Sequence, residues 1–177
     1  RRLAEQAIQD PLTGLYNRRF MEESINRELM RATRDGYPVS LVMCDIDHFK
    51  SINDRYGHQA GDRVLKTLGA LLRDSCRSSD IPCRYGGEEF LLVLPDMPGD
   101  VAAQWAENIR ATVEATSITY QGKRLKVTAS FGVAVYPIDG TTPQRVVSAA
   151  DDAQYAAKAA GRNQVKRAVQ ADRAHAG

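Results

Sequence analysis

Two short acidic motifs contain the residue types that bind a divalent cation. Asp45-Ile46-Asp47 directly follows the apolar run 39–44, so its carboxylates are predicted to lie at the end of a buried strand. Alternate residues of a strand face the same way, and Asp45 and Asp47 are therefore expected to share a face. Carboxylates in such a position suit magnesium, although polar residues that leave a core strand would give the same pattern.

The second motif is Gly86-Gly87-Glu88-Glu89-Phe90. Its two glycines separate strand-forming segments and predict a β-hairpin with a two-residue turn at positive φ. Glycines also let a ligand approach the backbone closely, and the two glutamates could bind a metal or accept a proton. A plain hairpin with solvated glutamates is the alternative. Two acidic motifs, each at a predicted sheet edge, together favour a shared metal site.

A basic pair is the third element that could do chemistry. Lys158 and Arg162 stand four residues apart near the end of a predicted helix over 143–160, with Gly161 in the C-cap role. Residues at that spacing can project from one helix face, where a lysine and an arginine together can grip a polyphosphate. A solvated basic helix end that complements the helix dipole is the simpler interpretation.

The composition is that of one globular domain. The chain has 177 residues, of which 43% are hydrophobic and 26% charged, and no apolar run approaches the ~18 residues of a membrane span. The net charge of +2 lacks the basic excess of a nucleic-acid binder, so no nucleic-acid partner is expected. Three cysteines without a CxxC pair predict buried or half-buried thiols in a reducing cytoplasm rather than a disulfide framework or a zinc site.

The first residue is arginine rather than methionine, which predicts a segment of a longer protein. Residues 1–9 are interpreted as the end of a helical linker from an upstream sensory or regulatory module, stopped by Asp10-Pro11. Residues 10–169 should form the domain, and 170–177 a disordered tail. Without a secretory leader pattern the domain is expected to be cytoplasmic, with any membrane attachment elsewhere in the full-length protein.

Hydrophobic periodicity predicts mixed helices and strands around these motifs. A helix capped by Asn17 should place Met21, Ile25 and Leu29 on one face. The other predicted elements are a strand over 39–44, a turn at 57–61, a helix reaching about 76, a hairpin over 83–94, a helix over 99–115, and strands over 125–135 and 164–168. This mixture predicts an α+β fold in which helices cover a sheet.

Taken together, the motifs resemble the GGDEF family of diguanylate cyclases, over residues 10–165. The resemblance rests on five pieces in the family's order, with a hallmark that reads GGEEF: Asp10-Pro-Leu-Thr-Gly-Leu-Tyr-Asn-Arg-Arg19, Asp45-Ile-Asp-His-Phe-Lys-Ser-Ile-Asn-Asp54, Gly57-His58 with Gly61-Asp62, the hallmark itself, and Ala157-Lys158 with Gly161-Arg162-Asn163. It implies an α+β (α/β) fold with a central, mostly antiparallel five-stranded sheet flanked by helices, similar to nucleotide cyclases and polymerase palms.

The resemblance also implies how a metal would be held. Mg²⁺, or Mn²⁺ as a substitute, would be bound by Asp45, by the backbone carbonyl of Ile46 and by Glu88. Glu89 would bind metal or activate the attacking 3′-hydroxyl; the resemblance leaves both roles open. Arg84 would stabilise charge in the transition state. Paired metals and a general base are physically suited to phosphoryl transfer.

Substrate residues follow from the same resemblance. Asn53 and Asp62 would select guanine, because a carboxylate accepts from guanine N1 and N2 hydrogens and adenine offers no such donor pair. The remaining positions expected near GTP are Lys50, Lys158 and Arg162 at the phosphates, backbone amides around His48 and Phe49, and Gly86 and Gly87 of the hairpin. His58 belongs to the same set, with a structural role more than a catalytic one.

The implied reaction condenses two GTP molecules into cyclic di-GMP and two pyrophosphates. One half-site binds one GTP, so turnover requires a homodimer. Arg77-Ser-Ser-Asp80 matches the family's RxxD element, which binds the product as a feedback inhibitor; a surface salt bridge is the alternative. The helix after the hairpin offers only Arg110 as an extra arginine, so Arg31 or Arg34 of the partner subunit could contribute instead.

Three other functions fit parts of the pattern. A catalytically inactive receptor would bind cyclic di-GMP at the RxxD element, but such members usually have a damaged hallmark, and this one is intact. Another nucleotide cyclase or a palm-type polymerase would share the acid pair without the guanine-reading residues. A purely structural domain would need neither two acidic motifs nor a pair of basic residues suited to bind phosphates.

Overall fold

The computed structural model describes residues 7–169 and contains five helices and eight strands. The helices are α1 (Arg18–Asp35), α2 (Phe49–Tyr56), α3 (His58–Ser75), α4 (Gly99–Ala115) and α5 (Pro143–Ala159). The strands are β1 (Tyr16–Asn17), β2 (Val39–Ile46), β3 (Ile81–Arg84), β4 (Glu89–Pro95), β5 (Ile118–Tyr120), β6 (Lys123–Leu125), β7 (Ala129–Tyr136) and β8 (Val165–Arg167).

The predicted α+β sheet is confirmed. Its strand order is β1-β3-β4-β2-β7-β8, and β2 at its centre pairs antiparallel with β4 and β7. Strands β3 and β4 form the predicted hairpin. Only the edge strands β1 and β8 pair in parallel, and the two-residue β1 makes the sheet six-stranded rather than five-stranded. Strands β5 and β6 form a separate two-stranded sheet.

Both faces of the central sheet are buried, which explains why its strands read as continuous apolar runs. Val42 and Phe90 face the cluster that α3 and α4 cover, with Leu68 and Ile109 from those helices. The opposite face packs against α1 and α5 through residues such as Met21. Burying side chains of this size contributes about 1.5–3 kcal/mol each, so the sheet is a rigid base for whatever lies at its edge.

Helix α1 forms as its sequence predicts. Asn17 is the N-cap, and its side-chain oxygen accepts a hydrogen bond of 2.9 Å from the backbone N–H of Phe20. Met21, Ile25 and Leu29 are all buried. The helix ends at Gly36, whose φ of 77° lies in the left-handed region. Cap and apolar stripe are both local signals, and both are confirmed.

Several boundaries differ from the prediction because tertiary packing overrides local signals. A short helix, α2, was not predicted; it is joined to α3 by Gly57 alone, so Gly61 lies inside α3 and not in a turn. The strand predicted over 125–135 is split into β6 and β7. Residues 7–9 form a turn and a bridge to Tyr16 rather than a helix. The rest of the predicted linker, and the tail from 170, fall outside the described residues.

Two global features accompany this architecture. Within residues 7–169, no helix is both long and apolar enough to cross a membrane. All three cysteines are free thiols, with Cys44 and Cys83 buried and Cys76 half-buried.

Candidate active site

The two acidic motifs meet at one end of the central sheet. Asp45 on β2 lies directly opposite Glu89 on β4 in the antiparallel register. The backbone N–H of Ile46 donates to the carbonyl of Glu88 at 3.3 Å, which extends the pairing past the end of β4. The side chain of Asp45 is 7% exposed. Asp45 and Glu89, which are distant in the chain, therefore form one acidic edge, as the sequence predicted.

Burial and mutual repulsion set the electrostatics of this edge. Burial raises the pKa of Asp45, and the Lys158 ammonium opposes that rise. Burial also raises the pKa of Glu88 and of Glu89, and in both cases the charge of Asp45 raises it further. The charge of Asp45 thus disfavours ionisation of both glutamates, and a divalent cation bound at this edge would relieve that repulsion.

Lys158 is the cation that the chain itself brings to this edge. It lies on α5, and its Nζ donates to Asp45 Oδ2 on β2 at 2.6 Å. The Lys158 side chain is 33% exposed, so it remains partly accessible from solvent. Lys158 therefore lies on the acidic edge, and its contact with the phosphates stays a prediction.

The donor set fits a hard divalent ion. Within the described part of the chain, no three His, Cys, Asp or Glu side chains converge on one point as a preformed metal cage. The set predicted here does not require one, because it combines Asp45 and Glu88 with the carbonyl oxygen of Ile46. Magnesium prefers such oxygen ligands and keeps several waters, and the repulsion among these carboxylates supplies the electrostatic reason to bind it.

Asp47 has a structural role at the end of β2. Its carboxylate accepts hydrogen bonds from Thr128 Oγ1 at 2.6 Å, from Ser130 Oγ at 2.6 Å and from the backbone N–H of Asn163 at 3.0 Å. Strand β2 ends at Ile46, so the alternation that was expected to place Asp47 beside Asp45 stops one residue earlier. Asp47 ties the strand end to β7 and to the segment after α5, and its oxygens are already engaged.

A cavity of 390 Å³ opens beside the acidic edge, between α2, α3 and the hairpin. It brings together most residues that were predicted to bind GTP, and its lining consists of Phe49, Lys50, Asn53, His58, Asp62, Leu65, Arg84, Gly87 and Glu88. Glu88 therefore belongs both to the acidic edge and to the cavity. His48 precedes α2 with a φ of 55° and is exposed.

Asn53, which lines this cavity, carries an unsatisfied side-chain oxygen. Its Oδ1 is buried, and no donor within residues 7–169 reaches it. A Cβ at position 61 would lie 1.9 Å from that oxygen, so only glycine lets α3 pack this closely against α2. A buried acceptor without a partner costs about 1–3 kcal/mol, and such a cost is offset when a ligand supplies the donor.

The hairpin turn differs from the prediction. Neither Gly86 nor Gly87 has a φ in the left-handed region, because four residues rather than two connect β3 to β4. The N–H groups of Tyr85 and Gly86 both donate to the carbonyl of Glu89, at 2.8 and 3.1 Å. A Cβ at Gly87 would meet nothing within 4 Å. The glycines leave open backbone beside the cavity instead of forming a tight reverse turn.

Arg84 connects the hairpin to the start of the domain. Its Nη1 lies 3.1 Å from Asp10 Oδ1, and its Nη2 donates to the carbonyl of Gly87 at 2.9 Å. Asp10 also accepts from the N–H and the hydroxyl of Thr13, both at 2.8 Å. Sequence reasoning assigned Asp10 only as a helix stop and a family motif residue, and missed its contact with Arg84.

Arg162 does not share a helix face with Lys158, contrary to the prediction. Helix α5 ends at Ala159, and the chain then reverses through Gly161 and Arg162 with φ of 118° and 63°. Residues beyond a helix end no longer follow the helical period, so a spacing of four residues does not place Arg162 on the same face as Lys158. Arg162 is exposed and does not line the 390 Å³ cavity.

Arg77 and Asp80 form a close pair in the loop before β3. The Asp80 side chain is 1% exposed and accepts from Arg77 Nη2 at 2.7 Å and from the Arg77 N–H at 2.7 Å. The same Nη2 donates to the carbonyl of Pro95 at 2.6 Å. A cavity of 310 Å³ beside the loop is lined by Arg31 and Arg27 of α1 in the same chain. Arg34 instead pairs with Asp35.

These features define an α+β domain with an acidic edge and an adjoining cavity of 390 Å³. The family model described as "Diguanylate cyclase, GGDEF domain" matches residues 7–164. The chain therefore belongs to the GGDEF domain family.

Named relatives agree with this assignment. The chain is 45% identical over 163 residues to the response regulator PleD of Caulobacter vibrioides, which covers 91% of this chain and 36% of PleD. It is 40% identical over 162 residues to the diguanylate cyclase DgcP of Pseudomonas aeruginosa, which covers 92% of this chain and 24% of DgcP. The chain thus spans well under half the length of these curated relatives.

A solved structure supports the fold independently. The GGDEF domain of DgcB from Caulobacter crescentus, in complex with cyclic di-GMP, superposes with a TM-score of 0.86. The two chains are 34% identical, and the match covers 91% of this chain and 93% of the DgcB chain. The similarity therefore extends over the whole domain.

Proposed function

We propose that this domain condenses two GTP molecules into cyclic di-GMP and two pyrophosphates. The observation that carries the proposal is that one cavity is lined both by Asn53, whose buried Oδ1 has no donor within residues 7–169, and by Glu88. A guanine-reading acceptor and a metal-binding carboxylate in one cavity suit a guanine nucleotide whose phosphates point toward the acidic edge.

Guanine recognition would rest on two acceptors in the cavity. Asn53 Oδ1 lacks a donor, and Asp62 on α3 is exposed and lines the same space. Guanine presents N–H groups at N1 and N2, whereas adenine presents an acceptor at N1 and no group at C2. A site built on such hydrogen bonds rejects the wrong base by leaving its own polar groups unpaired.

The acidic edge would receive the phosphates together with a divalent cation. Asp45, Glu88 and the Ile46 carbonyl would hold the ion, which when bound neutralises phosphate charge. Lys158, now paired with Asp45 at 2.6 Å, would turn to a phosphate oxygen. Lys50 at the cavity wall offers a second ammonium group, and the Arg84 guanidinium, held by Asp10, adds fixed positive charge at the hairpin.

Glu89 is the residue best placed to accept the proton of a 3′-hydroxyl. Glu89 is the first residue of β4, and it lines a separate groove between α1 and α5, together with Arg18, Tyr85 and Asp151. Its pKa is raised by burial and by Asp45, which makes its carboxylate a better proton acceptor at neutral pH. The proposed GTP site is the 390 Å³ cavity between α2, α3 and the hairpin, hereafter the GTP cavity, which is lined by Glu88 and not by Glu89. The second GTP would therefore come from a partner subunit in a homodimer.

Product identification tests this proposal. Incubation of the chain with GTP and Mg²⁺ should give cyclic di-GMP by mass spectrometry, and Glu89→Gln should lower the rate by about 10²–10⁴-fold. Glu23→Gln, at an exposed position on α1, is the matched control and should act as the wild-type chain. Equal rates in Glu89→Gln and in the wild type would refute the role of Glu89, and a different cyclic nucleotide would refute the assigned reaction.

We also propose that the RxxD loop binds cyclic di-GMP as a feedback inhibitor. Arg77 and Asp80 are held together at the surface, and Arg31 of the same chain lines the adjoining cavity. Arginine can donate two bonds to guanine O6 and N7, provided Arg77 releases the Pro95 carbonyl. Arg77→Ala should abolish product inhibition while leaving the initial rate intact; an unchanged inhibition constant would contradict the proposal.

A further inference from the structure

A second large cavity lies on the other side of α2 from the GTP cavity. This basic cleft has a volume of 790 Å³ and is bounded by α2, α4 and the segment that joins β6 to β7. Ser51 and Arg55 of α2 line it, whereas Lys50 and Asn53 of the same helix line the GTP cavity. Its volume falls within the range of about 300–1,000 Å³ that is typical of small-molecule sites.

The basic cleft carries unmatched positive charge. Its acidic side chains are already engaged: Asp47 by three hydrogen bonds, and Glu114 by Arg110 Nη1 at 2.8 Å. Three further cations line it, namely Arg55, Arg124 and Lys126. Within residues 7–169, none of these three has a carboxylate within the 4.0 Å of a salt bridge.

An aromatic ring extends this positive surface. The Arg55 guanidinium lies 5.2 Å from the centroid of the Tyr56 ring, and Lys123 Nζ lies 5.6 Å from it. Both distances are within the reach of a cation–π interaction. The Tyr56 ring, which lines the cleft, therefore contacts two cationic side chains, and within residues 7–169 neither has a carboxylate within salt-bridge distance.

The floor of the basic cleft is apolar. It is formed by Ile52 of α2, by Ala111 and Ala115 of α4, and by Leu125 and Val127, which are 3% and 5% exposed. A purely ionic surface would need no such floor. An apolar base beneath a cationic rim suits a ligand that combines a flat, weakly polar body with anionic groups.

From this arrangement we propose that the basic cleft is a second ligand site, which takes a phosphate-bearing molecule of nucleotide type. The phosphates would lie against Arg55, Arg124 and Lys126, and the base would cover Ile52, Leu125 and Val127. The site is separate from the GTP cavity and from the RxxD loop, with which it shares no lining residue.

Calorimetric titration of the full chain with ATP tests this proposal, because the acceptors of the GTP cavity disfavour adenine. One binding event is expected, weakened at least tenfold in Arg124→Gln/Lys126→Gln. The matched control is Arg63→Gln/Lys66→Gln, which removes the same charge from exposed positions of α3, and it should bind ATP as the wild type does. Asn53→Ala should also leave ATP affinity unchanged.

Tripolyphosphate and adenosine test separately the contribution of the phosphates and that of the nucleoside to binding. Each should bind more weakly than ATP, since each lacks one half of the contacts. The proposal is overturned if ATP does not bind, if tripolyphosphate binds as tightly as ATP, or if Arg124→Gln/Lys126→Gln and its control lose affinity equally. Loss of ATP binding in Asn53→Ala would overturn it as well, because the titrated site would then be the GTP cavity.

Discussion

Lys158 Nζ lies 2.6 Å from Asp45 Oδ2, so the chain places one of its own cations on the carboxylate that is proposed to hold the metal. The two residues are 113 positions apart and come from α5 and β2. Because β2 and β7 adjoin at the sheet centre and α5 packs across β7, the fold fixes this contact. The same lysine would be available to a phosphate once a divalent ion takes over the charge of Asp45.

Lys158→Met tests that role. Loss of a positioned cation at a developing phosphate charge typically lowers turnover by about 10²–10³-fold, and we expect a decrease of that order in cyclic di-GMP formation. Lys166→Met, at an exposed position on β8, is the matched control and should retain the wild-type rate. A folded Lys158→Met variant with wild-type turnover would contradict the assignment.

Gly61→Ala should impair GTP binding more than folding. The new Cβ would stand 1.9 Å from Asn53 Oδ1, and that amide is the flexible end of its side chain, so it would swing away from the base-reading position. Loss of a hydrogen bond of about 1–1.5 kcal/mol corresponds to an increase of about tenfold in KM for GTP. Steady-state kinetics check this; an unchanged KM would show that Asn53 does not read the base.

Gly132→Ala should destabilise the whole domain. A Cβ on this β7 residue would lie 2.1 Å from the Ala150 carbonyl and 2.2 Å from the Gln154 N–H, and these backbone atoms of α5 cannot move independently. Overpacking of this kind costs about 1–3 kcal/mol, occasionally more. Urea unfolding measures it, with Gly87→Ala as the near-neutral control, since its Cβ would meet nothing within 4 Å. Equal midpoints for the two variants would contradict the close β7–α5 packing.

The acidic limb of the pH–rate profile should depend on Asp151. Glu89 acts as a base only when ionised, and burial, Asp45 and Asp151 all raise its pKa above the ordinary 4.5. Asp151→Asn removes one negative neighbour, so the pKa should fall and activity should persist to lower pH. Asp152→Asn, one residue along and exposed, is the control. A limb that does not move, or that moves to higher pH, would show that Glu89 is not the titrating group.

Local signals in the sequence account for the positions of the main elements. Asn17 caps α1 because its side chain reaches an N–H three residues ahead, and the run 39–44 forms a strand because both of its faces are buried. The two acidic motifs could be placed at strand ends because each adjoins an apolar run that forms a buried strand. Patterns with a fixed period, and caps that act over three residues, can be read without knowledge of the fold.

Features that depend on distant contacts could not be read in this way. Asp10 and Arg84 are 74 positions apart, and nothing in either segment specifies their ion pair. The reversal at Gly161 removes Arg162 from the helix face that its spacing suggested. The requirement for glycine at position 132 arises only where α5 crosses β7. In each case the deciding partner lies on another element.

The most direct test of the proposed cyclase is the rate of cyclic di-GMP formation, followed chromatographically with GTP and Mg²⁺ across protein concentration. If two domains must each present one GTP, the rate should rise more steeply than linearly with protein until the dimer is saturated. Absence of product at every concentration, from a folded chain that still binds cyclic di-GMP, would contradict the cyclase and identify the domain as a receptor.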